Sequence, residues 1–350
     1  MTEPVGSDAW LAQVFDADAR DELFTGHAPD QVAPVLVLLG GQPAAGKTRA
    51  QQVILREHAA DDLVEITGDD LREYHPDYAR LADHAPLEMP AATAPVSGGL
   101  VSLALDHALA HRYSVLLEGT FRDAGMVTAT ATRFAEAGYR VEVVAVATPA
   151  AVSRLSAEMR SLDAGYPAVG RWTPPQAHES ALAGSAGVVA ALEALPHVQR
   201  VQVFSRERLL FDNTRTDAGE WERSAEAADA LRQEQHRPLG EREAFDWLQD
   251  YAAVFTKAQA RPGYLGRETA PAYIGLQRDV QTMIRALSQT PGAPLGQLQR
   301  EQRARRAHLE QVLPAGLLPP QRRPAAPPEL PDWPEHPGPT SRREPPTLGR

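Results

Sequence analysis

The chain has 350 residues, enough for one large domain or two modest ones, and its 43% apolar content can bury a sizeable core. A formal charge of -11 argues against nucleic-acid binding through bulk charge, and the absence of cysteine excludes disulfides, thiolate metal sites and thiol nucleophiles. The start, MTEPVGSDAW, lacks a basic segment followed by an apolar core, and no apolar run approaches membrane-spanning length, so the expectation is a cytoplasmic protein without a membrane or nucleic-acid partner.

Residues 1–33 read as a polar helical lead-in with apolar positions at Trp10, Leu11, Val14 and Phe15. Next comes VLVLLGGQPAAGKTRA (35–50). Val35 to Leu39 supply a buried strand, and TRAQQVILREHA from Thr48 reads as a helix. Between them the chain fits G-x-x-x-x-G-K-[ST] through Gly41, Gln42, Pro43, Ala44, Ala45, Gly46, Lys47 and Thr48. Gly46 allows a turn that aims backbone N–H groups at phosphate oxygens, and the helix start adds the positive end of its dipole. Lys47 reaches the β- and γ-phosphates, and the Thr48 hydroxyl ligates Mg²⁺. The expected ligand is ATP or GTP with Mg²⁺.

The second apolar run, LVEI (63–66), leads into Asp69 and Asp70. A carboxylate there can accept a proton from a substrate hydroxyl. The alternative is a cap for the helix starting at Leu71. His75, before Pro76, reads as structural, satisfying a carbonyl that the proline frees. A helix is expected over 102–112, followed by a third run, SVLLEG (114–119). Glu118 at its end suits a residue that holds Mg²⁺ through water, and Gly119, Thr120 and Arg122 form a turn over the site. Helices are expected over 126–139 and 149–161, with a strand, RVEVVAVAT (140–148), between them.

Arg154 and Arg160 lie on the second of these helices, and Arg171 opens RWTPPQAHE (171–179). Arginines supplied in cis can stabilise charge on a transferring phosphoryl group, although arginines on helices are usually solvated. Further strands are expected over 198–205 and 208–213. Strands alternating with helices imply a parallel sheet, with the site at the carboxyl ends of the strands. Four helices follow within 219–235, 242–260, 273–289 and 297–313, the first two charge-rich and exposed by expectation. From Leu313 about a dozen prolines accumulate, the composition of a disordered tail.

LGGQPAAGKT (39–48), ITGDDLREYHPDYARL (66–81), LLEGTFRD (116–123) and RWTPPQAHE (171–179), in this order, resemble the zeta toxin family of small-molecule kinases. The resemblance spans about residues 10 to 213. It implies an α/β fold: a P-loop nucleoside-kinase-like parallel sheet with flanking helices, to which this chain adds a helical C-terminal extension. It also implies use of ATP or GTP with Mg²⁺, transfer to the 3′-hydroxyl of the sugar in UDP-N-acetylglucosamine, poisoning of cell-wall synthesis, and restraint by an antitoxin. Carried over residue by residue, Lys47 and Thr48 hold phosphate and metal, and Asp69 is the catalytic base. Asp70 stands where the family often has threonine. Glu118, Thr120 and Arg122 lie near metal and substrate, while Arg160 and Arg171 clamp the phosphoryl group. The chain departs from the family at Ala44, where a second loop glycine is common. It departs again at Ser102, which aligns with a substrate-contacting glutamate; the nearby acid is Asp106, one helical turn on. The expected organisation is a lead-in over 1–33, a kinase domain over 34–214, a helical extension over 215–312 and a proline-rich tail over 313–350. A kinase of another metabolite, such as a NAD-like dinucleotide, a nucleoside or an antibiotic, and a non-catalytic nucleotide-binding module remain the alternatives.

Overall fold

Val35–Gly40 (β1) is buried at every position, as a strand covered on both faces must be. The computed structural model describes residues 3–163, 172–288, 290–314 and 316–318. Around β1 lie Val64–Thr67 (β2), Val115–Glu118 (β3), Arg140–Val146 (β4), Val198–Phe204 (β5) and Leu209–Thr214 (β6). The sheet order is β2-β3-β1-β4-β5-β6. The first five strands are parallel, and β6 closes the edge antiparallel to β5. The α/β sheet expected from the sequence is therefore present, with one antiparallel edge strand.

The lead-in folds as Asp8–Val14 (α1), a π-helical turn over Phe15–Ala19 and Arg20–Phe24 (α2). Its Leu11, Phe15, Ala19 and Phe24 join the core cluster on one face of the sheet. The connecting helices are Lys47–Glu57 (α3), Tyr78–His84 (α4), Met89–Ala110 (α5), Ala124–Glu136 (α6), Ala150–Leu162 (α7) and Pro175–Glu193 (α8). Expected to begin at 102, α5 starts at Met89 instead. Pro90 sits in the first turn, where its missing N–H costs nothing, and Pro95 is tolerated inside. Burial of Thr93, Val96, Ser97 and Leu100 carries the helix through that region.

The C-terminal helices are Ala227–Gln235 (α9), Glu241–Ala260 (α10), Ala270–Leu287 (α11) and Leu295–Val312 (α12). Helix α9 starts eight residues after Gly219, where the helical reading began. Before it, Arg215 bridges to Trp221 and stacks its guanidinium 4.1 Å over the indole. Helix α10 is not exposed: Trp247, Leu248, Tyr251, Val254 and Phe255 are buried in a second core shared with α11 and with Leu155 of α7. Leu313 is buried in the same cluster, so the chain is still packed where the proline-rich tail was expected to begin; residues 319–350 lie outside the described residues. Everything described belongs to one compact unit, Met1–Leu318. Among the described residues no helix is long and apolar enough to cross a membrane.

Candidate active site

The loop after β1 is shaped by close backbone approaches. A Cβ on Gly40 would collide with the buried Phe121 ring, and one on Gly41 would fall 2.5 Å from the Val146 carbonyl. Gly46 has φ +95° and opens α3, whose first residue is Lys47. Ala44 holds φ +60°, a conformation that costs a residue with a Cβ. Gly41, Ala44 and Ala45 are buried, whereas Gly46 and Thr48 are exposed at the mouth. The Gln42 side chain turns inward: it is fully buried and donates to the Thr148 carbonyl at 2.7 Å. It therefore braces the loop from below and leaves only its backbone at the loop.

Glu118 ends β3, in register with Leu39 of β1 on one side and Thr67 of β2 on the other. Its carboxylate lies 3.5 Å from Lys47 Nζ, which also donates to the Gly41 carbonyl at 3.4 Å. The ammonium is thus aimed across the loop mouth. The Gly119 N–H bonds Leu39 O at 2.8 Å, which ties the Glu118–Arg122 turn to β1. Phe121 in that turn has φ +48°, an outlier for a bulky residue, held by its ring packing on Gly40. Arg122 is exposed, and Thr120 is half-buried beside it.

Asp69 stands at the N-cap of a 3-10 helix, Asp70–Tyr74, yet its side chain makes no capping bond. Arg72 Nε donates to Asp69 Oδ1 at 2.9 Å instead, while Arg72 Nη1 binds Pro90 O and Thr93 Oγ1, both at 2.8 Å. Arg72, which the sequence reading passed over, so orients Asp69 from α5. Asp70 is exposed alongside. His75 is structural as expected, but its Nδ1 accepts the Asp77 N–H rather than satisfying a carbonyl. Asp106, one turn beyond Ser102 on α5, is paired with Arg133 of α6 at 2.5 Å.

Arg154 and Arg160 both lie on α7, but Arg154 is held by Glu179 of α8 and Asp279 of α11, which makes it a tie between helices. Burial, and the charge of Arg160 close by, depress the pKa of Arg206, a residue of the β5–β6 turn that the sequence reading missed. Arg171 lies outside the described residues. Glu158 is another group read only from the structure. It is buried on α7, accepts a hydrogen bond from Tyr264 at 2.9 Å, and is pushed up to about 7 by burial.

The loop amides, Lys47 and the α3 N-terminus suit a polyphosphate, because Gly46 at positive φ turns the chain into the positive end of the α3 dipole. For a metal, the chain offers the Thr48 hydroxyl and the Glu118 carboxylate. Among the described residues no three His, Asp or Glu gather as a metal cage. That fits Mg²⁺, which takes most of its ligands from phosphate and water.

A parallel sheet with a glycine-lined phosphate loop between its central strand and the following helix defines a P-loop kinase fold. The zeta toxin family model matches residues 20–216, more than half of the chain, and the chain belongs to that family. Toxin PezT of Streptococcus pneumoniae serotype 4 is 29% identical over 202 residues, covering 57% of this chain and 77% of that toxin. Toxin zeta of Enterococcus hirae is 26% identical over 193 residues, covering 55% and 67%. A solved structure from the PezAT chromosomal toxin-antitoxin system of Streptococcus pneumoniae matches at 24% identity with a TM-score of 0.58, covering 73% of this chain and 98% of that one. It shares the fold.

Proposed function

We propose that the chain is a small-molecule kinase that moves the γ-phosphoryl group of ATP, or of GTP, to a hydroxyl of UDP-N-acetylglucosamine or a related sugar nucleotide. One observation carries this reading: the phosphate loop, Glu118 and Asp69 sit at the carboxyl ends of three adjacent parallel strands, β1, β3 and β2. Two strand spacings separate the loop from Asp69, roughly 10 Å, which is room for an acceptor hydroxyl between them.

Bound nucleotide with Mg²⁺ would supply the phosphoryl group and neutralise part of its charge. Lys47 and the loop amides hold the β- and γ-phosphates. Thr48 and Glu118 hold the metal, Glu118 also keeping Lys47 in place across the mouth. Asp69, steadied by Arg72, orients the acceptor hydroxyl and takes its proton. Asp70, Thr120 and Arg122 line the acceptor side. Arg160 and Arg171 balance the charge that spreads over the transferring group. Phosphorylation of a cell-wall precursor in the cytoplasm would arrest growth, with a cognate antitoxin as the restraining partner; membership of the zeta toxin family supports this part of the proposal.

The acceptor is tested with purified chain, γ-labelled ATP and UDP-N-acetylglucosamine. Label in the sugar nucleotide, lost with Lys47→Ala, supports the reading; ADP release that ignores the sugar nucleotide overturns the acceptor. A second acceptor class, a NAD-like dinucleotide or a nucleoside, is favoured by one observation. Where the resemblance aligns a substrate-contacting glutamate this chain has the uncharged Ser102, and the acid one turn on, Asp106, is engaged by Arg133. Label in the dinucleotide or nucleoside arm of the same assay decides for it.

A further inference from the structure

Arg206 occupies the tight turn between β5 and β6. Ser205 Oγ accepts the N–H groups of Glu207 and Arg208 there, and Arg49 of α3 grips the Arg206 carbonyl at 3.2 Å. The turn is therefore rigid and docked beside the phosphate loop. From it the Arg206 side chain reaches over the loop. Its Nη2 donates to the Ala44 carbonyl at 2.5 Å and to Ser156 Oγ at 2.9 Å, and its Nε donates to the Ala45 carbonyl at 3.4 Å. The stem covers Gly46 so closely that a Cβ there would lie 3.1 Å from Arg206 Cγ. Among the described residues no carboxylate pairs with this guanidinium. Its donors go to two backbone carbonyls and the Ser156 hydroxyl instead.

The peptide planes give this geometry a consequence. In a trans peptide the C=O and the following N–H point in opposite directions. The Ala45 carbonyl is held by both Arg206 Nε and Thr148 Oγ1, the latter at 2.7 Å. The Gly46 N–H on the same plane is thereby turned away from the protein, toward the loop mouth. The preceding plane is anchored through Ala44, the one residue of the loop with a Cβ at φ +60°. Left alone, such a residue relaxes to negative φ, and that rotation would carry the Ala44 carbonyl off Arg206 and open the turn that the Ala45 N–H closes on the Gln42 carbonyl at 3.1 Å.

We propose that Arg206 is a positioning residue of the phosphate loop: by holding the Ala44 and Ala45 carbonyls it keeps the left-handed Ala44 in place and the Gly46 amide facing the nucleotide. The proposal rests on the reading of this loop as the nucleotide-phosphate site. An apparent dissociation constant rises in proportion as the binding-ready loop is depopulated. The requirement for Arg206 should therefore shrink when residue 44 can adopt positive φ freely, as glycine does.

The test is a double-mutant cycle on Mg·ATP affinity by calorimetry, using wild type, Arg206→Met, Ala44→Gly and the pair. Methionine keeps the stem over Gly46 and removes the donors. Arg206→Met should weaken binding about tenfold, the scale of one charge-assisted hydrogen bond, and only about two- to threefold when Ala44→Gly is also present. Arg206→Lys, which reaches one carbonyl and keeps the charge, should fall between wild type and Arg206→Met, and it enters the cycle should Arg206→Met fail to fold. An equal loss in both backgrounds, or full rescue by lysine, would mean that Arg206 acts on the nucleotide directly and overturns the proposal, as does no loss at all. Wild type that binds no ATP instead removes the phosphate-site reading beneath it.

Discussion

Asp69 is an exposed carboxylate whose aim depends on a neighbour. Arg72 holds one of its oxygens and is itself anchored to α5 by Pro90 and Thr93. Asp69→Ala and Lys47→Ala should each lower turnover about a hundredfold or more, the scale of a lost general base or electrostatic group, measured as acceptor-dependent ADP release. Arg72→Met should lower kcat by about tenfold while leaving the KM for ATP unchanged, because it disturbs the proposed base and not the phosphate loop. Glu158 gives a pH signature. Burial raises its pKa from 4.5 to about 7, so the folded chain binds this proton more tightly than the unfolded chain does. Its stabilising contribution is full below 4.5, declines as pH rises toward 7, and is gone above. Glu158→Gln should flatten that decline and be more stable than wild type at pH 8, by about 1–3 kcal/mol, in unfolding followed across pH. The places of Lys47 and Asp69 just beyond β1 and β2 were legible from sequence because short motifs carry them. Arg72, Thr148 and Arg206 were not: an arginine in a turn 161 residues away reveals no contact with Ala45 until the sheet brings β5 beside β4.

The six strands were legible as well: β1 as an apolar run covered on both faces, and β2, β5 and β6 as shorter or more mixed runs bounded by turns. Helix α5 was expected only over 102–112, although its buried face begins at Met89. Helix α10 was misjudged by its charges. Trp247, Leu248, Tyr251, Val254 and Phe255 recur at the spacing of one helical face, and Trp247 Nε1 bonds the Ala151 carbonyl on α7 at 3.0 Å. Between α7 and α11 the contact is close, since a Cβ on Gly275 would meet the Arg154 stem at 2.8 Å. Gly275→Val should therefore cost about 1–3 kcal/mol by forcing α11 away from α7, read from denaturant unfolding, whereas Gly187→Ala, with open space at its Cβ, should not destabilise.

Across the whole molecule, buried polar groups run from the phosphate loop to the C-terminal helices. Gln235 of α9 donates to Gln42 Oε1 at 3.1 Å and to Ser185 Oγ at 2.9 Å. Ser153 meets His178 at 2.9 Å, His178 meets Glu179, and Arg154 links Glu179 to Asp279 of α11. In the described residues the extension is thus built into the kinase fold along α7 and α8, a junction that composition alone could not reveal. Ending the chain after Glu226 would strip partners from Gln42, Arg154, Leu155 and Glu158. It should lower the melting temperature by roughly 10 °C or more, as the loss of several kcal/mol would in a chain of this size, or leave the protein insoluble.

Phosphoryl transfer in the crevice between the phosphate loop and Asp69 is the activity that matters most. The most direct measurement is mass spectrometry of a cell-metabolite extract incubated with labelled ATP and either wild-type chain or Asp69→Asn. A newly phosphorylated alcohol with wild type, absent or about a hundredfold scarcer with Asp69→Asn, is the expected result. The same product in equal yield from both, or no phosphorylated product from wild type, would contradict it.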